Sequence, residues 1–115
     1  MNYLAIKSDR QFKDTTGFSK AAFSSLLADY EKTFLEEKGQ SYENHIEENS
    51  MIVPKLKTLG EALFFVLFQK KNDLIWGSLG FVFGMAASTA HENFKVFVDL
   101  LELTLEKKSD AKKAI

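Results

Sequence analysis

From Ala62 to Phe68 the sequence reads Ala-Leu-Phe-Phe-Val-Leu-Phe without one polar residue. Thr58 and Glu61 stand before it at the spacing of a capping box, in which the threonine hydroxyl accepts from an amide of the first turn and the carboxylate reaches back. Lys70 and Lys71 follow it, suited to the negative end of a helix dipole. The stretch therefore predicts a helix that is apolar on nearly every side, and such a helix must be covered by several others. The wider apolar region, Leu59 to Ala87, is interrupted by Gln69, Lys70, Lys71, Asn72 and Asp73. Each half falls short of the roughly 20 residues that cross a bilayer, so the region reads as core and not as membrane.

The covering elements can be read on either side. Tyr3, Leu4, Ile6 and Phe12 suggest a short first helix running to about Lys13, with a break at Thr15, Thr16 and Gly17. Ser19 is a good N-cap for a second helix, along which Phe23, Leu26, Leu27, Tyr30 and Phe34 recur every three or four residues until Gly39. Between about 39 and 54 the chain turns polar and acidic and reads as a connector closed by Pro54. After the central helix, Asn72 or Asp73 can cap a shorter one carrying Leu74, Ile75, Trp76, Leu79, Val82 and Phe83, which Gly84 ends. A last helix is predicted from about Ala87 to Lys107, with Ala90, Phe94, Phe97, Leu100, Leu101 and Leu105 inward and a short charged tail at about 108–115. Nothing reads as a strand. The expected fold class is all-α: one compact domain over residues 1–115, of about five helices.

The 115 residues suit one domain, and 45% hydrophobic residues, eleven of the 115 being Phe, supply a core for it. With no Cys, a disulfide framework and a thiolate metal site are both excluded. Together with a Met1 to Arg10 stretch that has no long apolar run, this points to the cytoplasm. A net charge of -1 lacks the overall basic character common in nucleic-acid binders.

Two helices meeting across a turn that holds Gly84 have the pattern of a helix-turn-helix. Three stretches give that pattern a family. They are Arg10-Gln11-Phe12-Lys13-Asp14-Thr15-Thr16-Gly17-Phe18-Ser19, Leu63-Phe64-Phe65-Val66-Leu67-Phe68 and Leu79-Gly80-Phe81-Val82-Phe83-Gly84-Met85. In this order and spacing the chain resembles the amino-terminal helix-turn-helix region of DDE-type insertion-sequence transposases. The resemblance implies that Asn72 to Phe83 is a positioning helix, Gly84 and Met85 the turn, and Ala87 onward a recognition helix opened by Ser88 and Thr89. It implies double-stranded DNA at the inverted repeats of an element's ends as partner. Ser88, Thr89, His91 and Lys95 would then face the duplex, with Lys57, Lys70 and Lys71, and also Lys55, on phosphates. Two positions depart from the family pattern: Ala86 stands where a capping Ser or Thr is usual, and Glu92 where a basic residue is common. Glu92 repels a phosphate, yet it can accept a hydrogen bond from cytosine in the major groove.

The three metal-binding carboxylates of such transposases belong to a later catalytic domain. The resemblance therefore implies no enzyme, no cofactor and no metal, and transposition only with a second, catalytic polypeptide. Glu43, Glu47 and Glu48 form an acidic run on the connector, expected to be solvated. The rival class is a helical module that uses its surplus aromatic surface to pair with itself or with another protein. Cations around the Ser88 turn would favour DNA, and an exposed apolar patch would favour the protein partner.

Overall fold

The computed structural model describes residues 2–48 and 55–113, and every regular element among them is helical. A single 3-10 turn, Tyr3–Ala5, precedes six helices: α1 (Asp9–Thr16), α2 (Lys20–Lys38), α3 (Tyr42–Glu48), α4 (Leu59–Asn72), α5 (Trp76–Phe83) and α6 (Ala87–Lys113). The expected all-α class is correct.

As its composition requires, α4 lies at the centre. Ala62, Leu63, Phe64, Phe65, Val66 and Leu67 are all buried, and α1, α2 and α6 pack around them. Burying a side chain of this size is worth about 1.5–3 kcal/mol, so this one helix supplies a large part of the hydrophobic stabilisation. Rings fill the space between the elements. Phe12 of α1 packs edge-on against Phe23 of α2 at 5.1 Å, and Phe83 of α5 meets Phe65 and Phe68 of α4 at 4.9 and 5.4 Å. The buried Tyr30 donates its hydroxyl to the Phe97 carbonyl at 2.8 Å, joining α2 to α6. Burial raises the Tyr30 phenol far above its ordinary value, and pushes that of Tyr42, which donates to the Leu56 carbonyl at 2.7 Å, up to about 12.

The caps follow the sequence closely. Ser19 accepts from the Ala22 amide at 3.1 Å and Thr58 from the Glu61 amide at 3.1 Å. Glu61 in turn takes the Lys57 amide at 2.9 Å, one residue before the cap.

Several boundaries differ from expectation. The first predicted helix is two pieces, because Ser8 caps a new helix at Asp9, and Thr15 and Thr16 continue it by donating their hydroxyls to the Gln11 and Phe12 carbonyls. The connector contains α3, anchored by the buried Tyr42, whose ring packs against Phe34 and Phe97. Pro54 and the last two residues of the predicted tail lie outside the described residues. The tail is otherwise a continuation of α6 to Lys113, where Lys107 pairs with Glu36 and Glu37 and Lys108 with Asp29 of α2. On α6 the inward position is Thr104, 2% exposed, and not Leu105, 48% exposed. Thr104 can be buried because its hydroxyl donates to the Leu100 carbonyl at 2.8 Å.

Neither Asn72 nor Asp73 caps α5. Asn72 ends α4 and donates its side-chain amide to the Thr15 and Phe68 carbonyls, while Asp73 is the C-cap with φ 49°. The link to α5 is held by Gln69, whose buried amide donates to the Leu74 carbonyl at 2.8 Å and accepts from the Leu74 amide at 3.1 Å. Helix α5 then starts behind Ile75 with no side-chain cap.

Candidate nucleic-acid interface

The turn between α5 and α6 is tight because two glycines allow it. Gly84 takes φ 72°, the left-handed conformation that ends a helix, and the Met85 amide donates back to the Gly80 carbonyl at 2.8 Å. A Cβ on Gly80 would collide with the Met85 carbonyl oxygen and lie 3.2 Å from the Ala86 carbonyl group. The chain thus folds back over α5 at contact distance, and Phe83, Leu79 and Trp76 hold the hairpin to the core.

Helix α6 opens on Ala86, whose carbonyl accepts from the Ala90 amide at 2.9 Å and whose methyl side chain supplies no capping oxygen. The amides of Ala87, Ser88 and Thr89 are the unsatisfied donors that every helix start carries. Ala86, Ala87 and Ser88, all small, are exposed there.

Ser88, His91, Glu92 and Lys95 follow at intervals of three, one and three residues, which places them on one face of α6, and all four are exposed. Thr89 stands at the edge of this stripe, half-buried. Neither Glu92 nor Lys95 forms an ion pair among the described residues. The charges of Glu92 and Lys95 offset one another, and Asp99 and Glu102 continue the exposed surface with acidic groups.

The lysines divide. Lys70 lines an open groove with Trp76 and Phe94. Its neighbour Lys71 lies elsewhere, its stem beside Gly17 at the end of α1. Lys55 and Lys57 sit at the far end of α4, in a hollow with Asn2, Tyr3 and Phe83. A helix rises about 1.5 Å per residue, so the two ends of α4 are on the order of 20 Å apart; Lys57 shares its hollow with Phe83, next to the α5–α6 turn, and Lys70 shares its groove with Trp76 and Phe94. Glu43 and Glu47 are exposed on α3, and no group of three or more His, Asp or Glu side chains among the described residues is close enough to hold a metal ion.

Sequence reasoning missed two features. His91 packs on the Trp76 indole, ring centroids 4.7 Å apart and planes 33° from parallel, and Trp76 rests in turn on Phe94 at 5.6 Å. The contact spans fifteen residues across a turn, where helical spacing carries no information. Phe81 is the other: 88% exposed on α5, with Ile75 at 76% before the helix start. Comparison of the chain with family models, with curated proteins and with solved structures finds no match in any of the three.

Proposed function

We propose that the chain is a DNA-binding helix-turn-helix domain of the insertion-sequence transposase type, which recognises an element's terminal inverted repeats through the start of α6. One observation carries the reading. The α5–α6 turn leaves the start of α6 with no capping oxygen at Ala86 and with small, exposed side chains, and Ser88, His91, Glu92 and Lys95 form one exposed stripe behind it. Free amides at a helix start attract a phosphate, and hydroxyl, imidazole and carboxylate groups on the following turns have the chemistry to read base edges. Lys70 adds a cation in the groove lined by Trp76 and Phe94. With a net charge of -1, general attraction to DNA is weak and affinity rests on these local contacts. The test is a titration of the intact chain with duplexes selected from a randomised pool and with unrelated duplexes, at two salt concentrations. Selective, salt-sensitive binding that Ser88→Ala or Lys95→Ala weakens is the expected result; no binding at low salt refutes it.

A second reading, a protein-interaction module, draws on the exposed Phe81 and Ile75. It predicts self-association in sedimentation that Phe81→Ser abolishes.

A further inference from the structure

The four exposed residues of the α6 stripe differ in their contacts. Ser88, Glu92 and Lys95 take part in no side-chain hydrogen bond, ion pair or ring contact among the described residues, whereas His91 lies against an aromatic stack built from the core outward. Phe94 packs on the core, Trp76 rests on Phe94, and the imidazole lies on Trp76. Trp76 is itself fixed at the first position of α5, whose course is set by the Gln69 clasp on Leu74 and by the close approach at Gly80. We infer that Trp76 is a positioning residue: it holds the His91 ring in one orientation, so that a single imidazole N–H is presented to a base edge and sets sequence preference for a purine.

The chemistry follows from the imidazole. One ring nitrogen of a neutral histidine donates and the other accepts, and both donate when it is protonated. Purines alone expose an N7 acceptor in the major groove, with guanine adding O6 beside it. A free exposed side chain loses rotamer freedom when it binds, but one already held on an indole loses little, so its contact contributes more fully to discrimination. Lys95, with four rotatable bonds and no partner, is instead suited to a phosphate, which carries no sequence information.

This inference rests on the DNA-binding reading and is tested separately from it. The intact chain and the variants Trp76→Leu, Trp76→Phe, His91→Ala and Trp76→Leu/His91→Ala are titrated with the tightest duplex from a randomised pool and with an unrelated duplex of equal length. Trp76→Leu should reduce the ratio of the two affinities about tenfold, the scale of one good base contact, while non-specific affinity stays within about twofold. Trp76→Phe, which keeps a flat face, should restore most of the ratio. The double variant should discriminate no worse than His91→Ala alone, because Trp76 acts through His91. The upfield shift of the His91 ring protons in NMR spectra, caused by the indole ring current, should be lost in Trp76→Leu and retained in Trp76→Phe. Equal loss of specific and non-specific affinity, or additive losses in the double variant, would overturn the positioning role and leave Trp76 as packing only. Binding with discrimination unmoved by Trp76→Leu overturns this inference alone, whereas no binding of any duplex by the unaltered chain overturns the DNA reading and this inference together.

Discussion

Adding one methyl group to α5 should have opposite effects at two glycines three residues apart. At Gly77 a Cβ would meet nothing within 4 Å, and φ there is not positive. Alanine is favoured over glycine in a helix interior by about 1 kcal/mol, and somewhat less in the first turn, so Gly77→Ala should stabilise the fold by about 0.5 kcal/mol. At Gly80 the same gain is opposed by collision with the Met85 carbonyl oxygen and by the Ala86 carbonyl group 3.2 Å away. Both are main chain, and the Met85 amide bond to the Gly80 carbonyl at 2.8 Å prevents either from swinging aside. Overpacking costs about 1–3 kcal/mol, and against backbone the upper end applies, so Gly80→Ala should be destabilising by about 2 kcal/mol net. The two variants should then differ by roughly 2.5 kcal/mol, or about 10 °C in Tm for a chain of this size. Thermal unfolding by circular dichroism, with urea melts to confirm two-state behaviour, measures both. A Gly80→Ala protein as stable as Gly77→Ala would mean that the turn does not pass over α5 at contact distance, and the geometry proposed for the start of α6 would go with it.

Phe83→Ala should cost about 3 kcal/mol in urea unfolding, because the ring fills the space beside Phe64, Phe65 and Phe68 while remaining partly exposed. Stability should fall on the alkaline side: the Tyr42 phenol titrates near 10.0 when unfolded and at about 12 when folded, so between those values the folded state holds the extra proton and each pH unit removes about 1.4 kcal/mol. Tyr30 adds to the loss in the same direction, and Tyr42→Phe should flatten the fall when Tm is followed against pH. In DNA titrations, Lys70→Ala should weaken binding to all duplexes and lower the salt slope by about 1, whereas Lys71→Ala, whose side chain lies beside α1, should change little. Glu92→Arg should strengthen binding without preference if the carboxylate faces a phosphate, and reduce discrimination if it reads a cytosine; no effect from any of these in a chain that binds would exclude α6 as the reading helix.

What could be read from the sequence was whatever depends on local spacing. The all-round apolar face of α4, the Ser19 and Thr58 caps, and the exposed row Ser88, His91, Glu92 and Lys95 all follow from 3.6-residue periodicity and first-turn chemistry. The misses depend on partners distant in sequence or on polar groups satisfied internally. Thr104 replaces Leu105 in the core because a hydroxyl can bond its own helix, and Asn72 leaves the α5 cap because it is needed at Thr15, fifty-seven residues away. Helix α3 forms from a polar stretch because Tyr42 finds Phe34, Phe97 and the Leu56 carbonyl. Lys70 and Lys71 look equivalent on paper, but adjacent residues on a helix point about 100° apart, and here that separates the α6 groove from the end of α1.

The burial of α4 on all sides determines which pieces of this chain can be moved. A fragment starting at Lys55 would keep the hairpin and its exposed stripe, yet lose Phe12, Phe23, Leu26, Tyr30 and Phe34, the side chains that cover the opposite flank of α4. That flank would be left as a wet aromatic surface, prone to aggregation, and α4 would keep its cap and its contacts with α5 and α6 but lose those with α1 and α2. Grafting the hairpin into another protein therefore means carrying α1 and α2 with it. Fusions to this chain should spare both helices and attach beyond them.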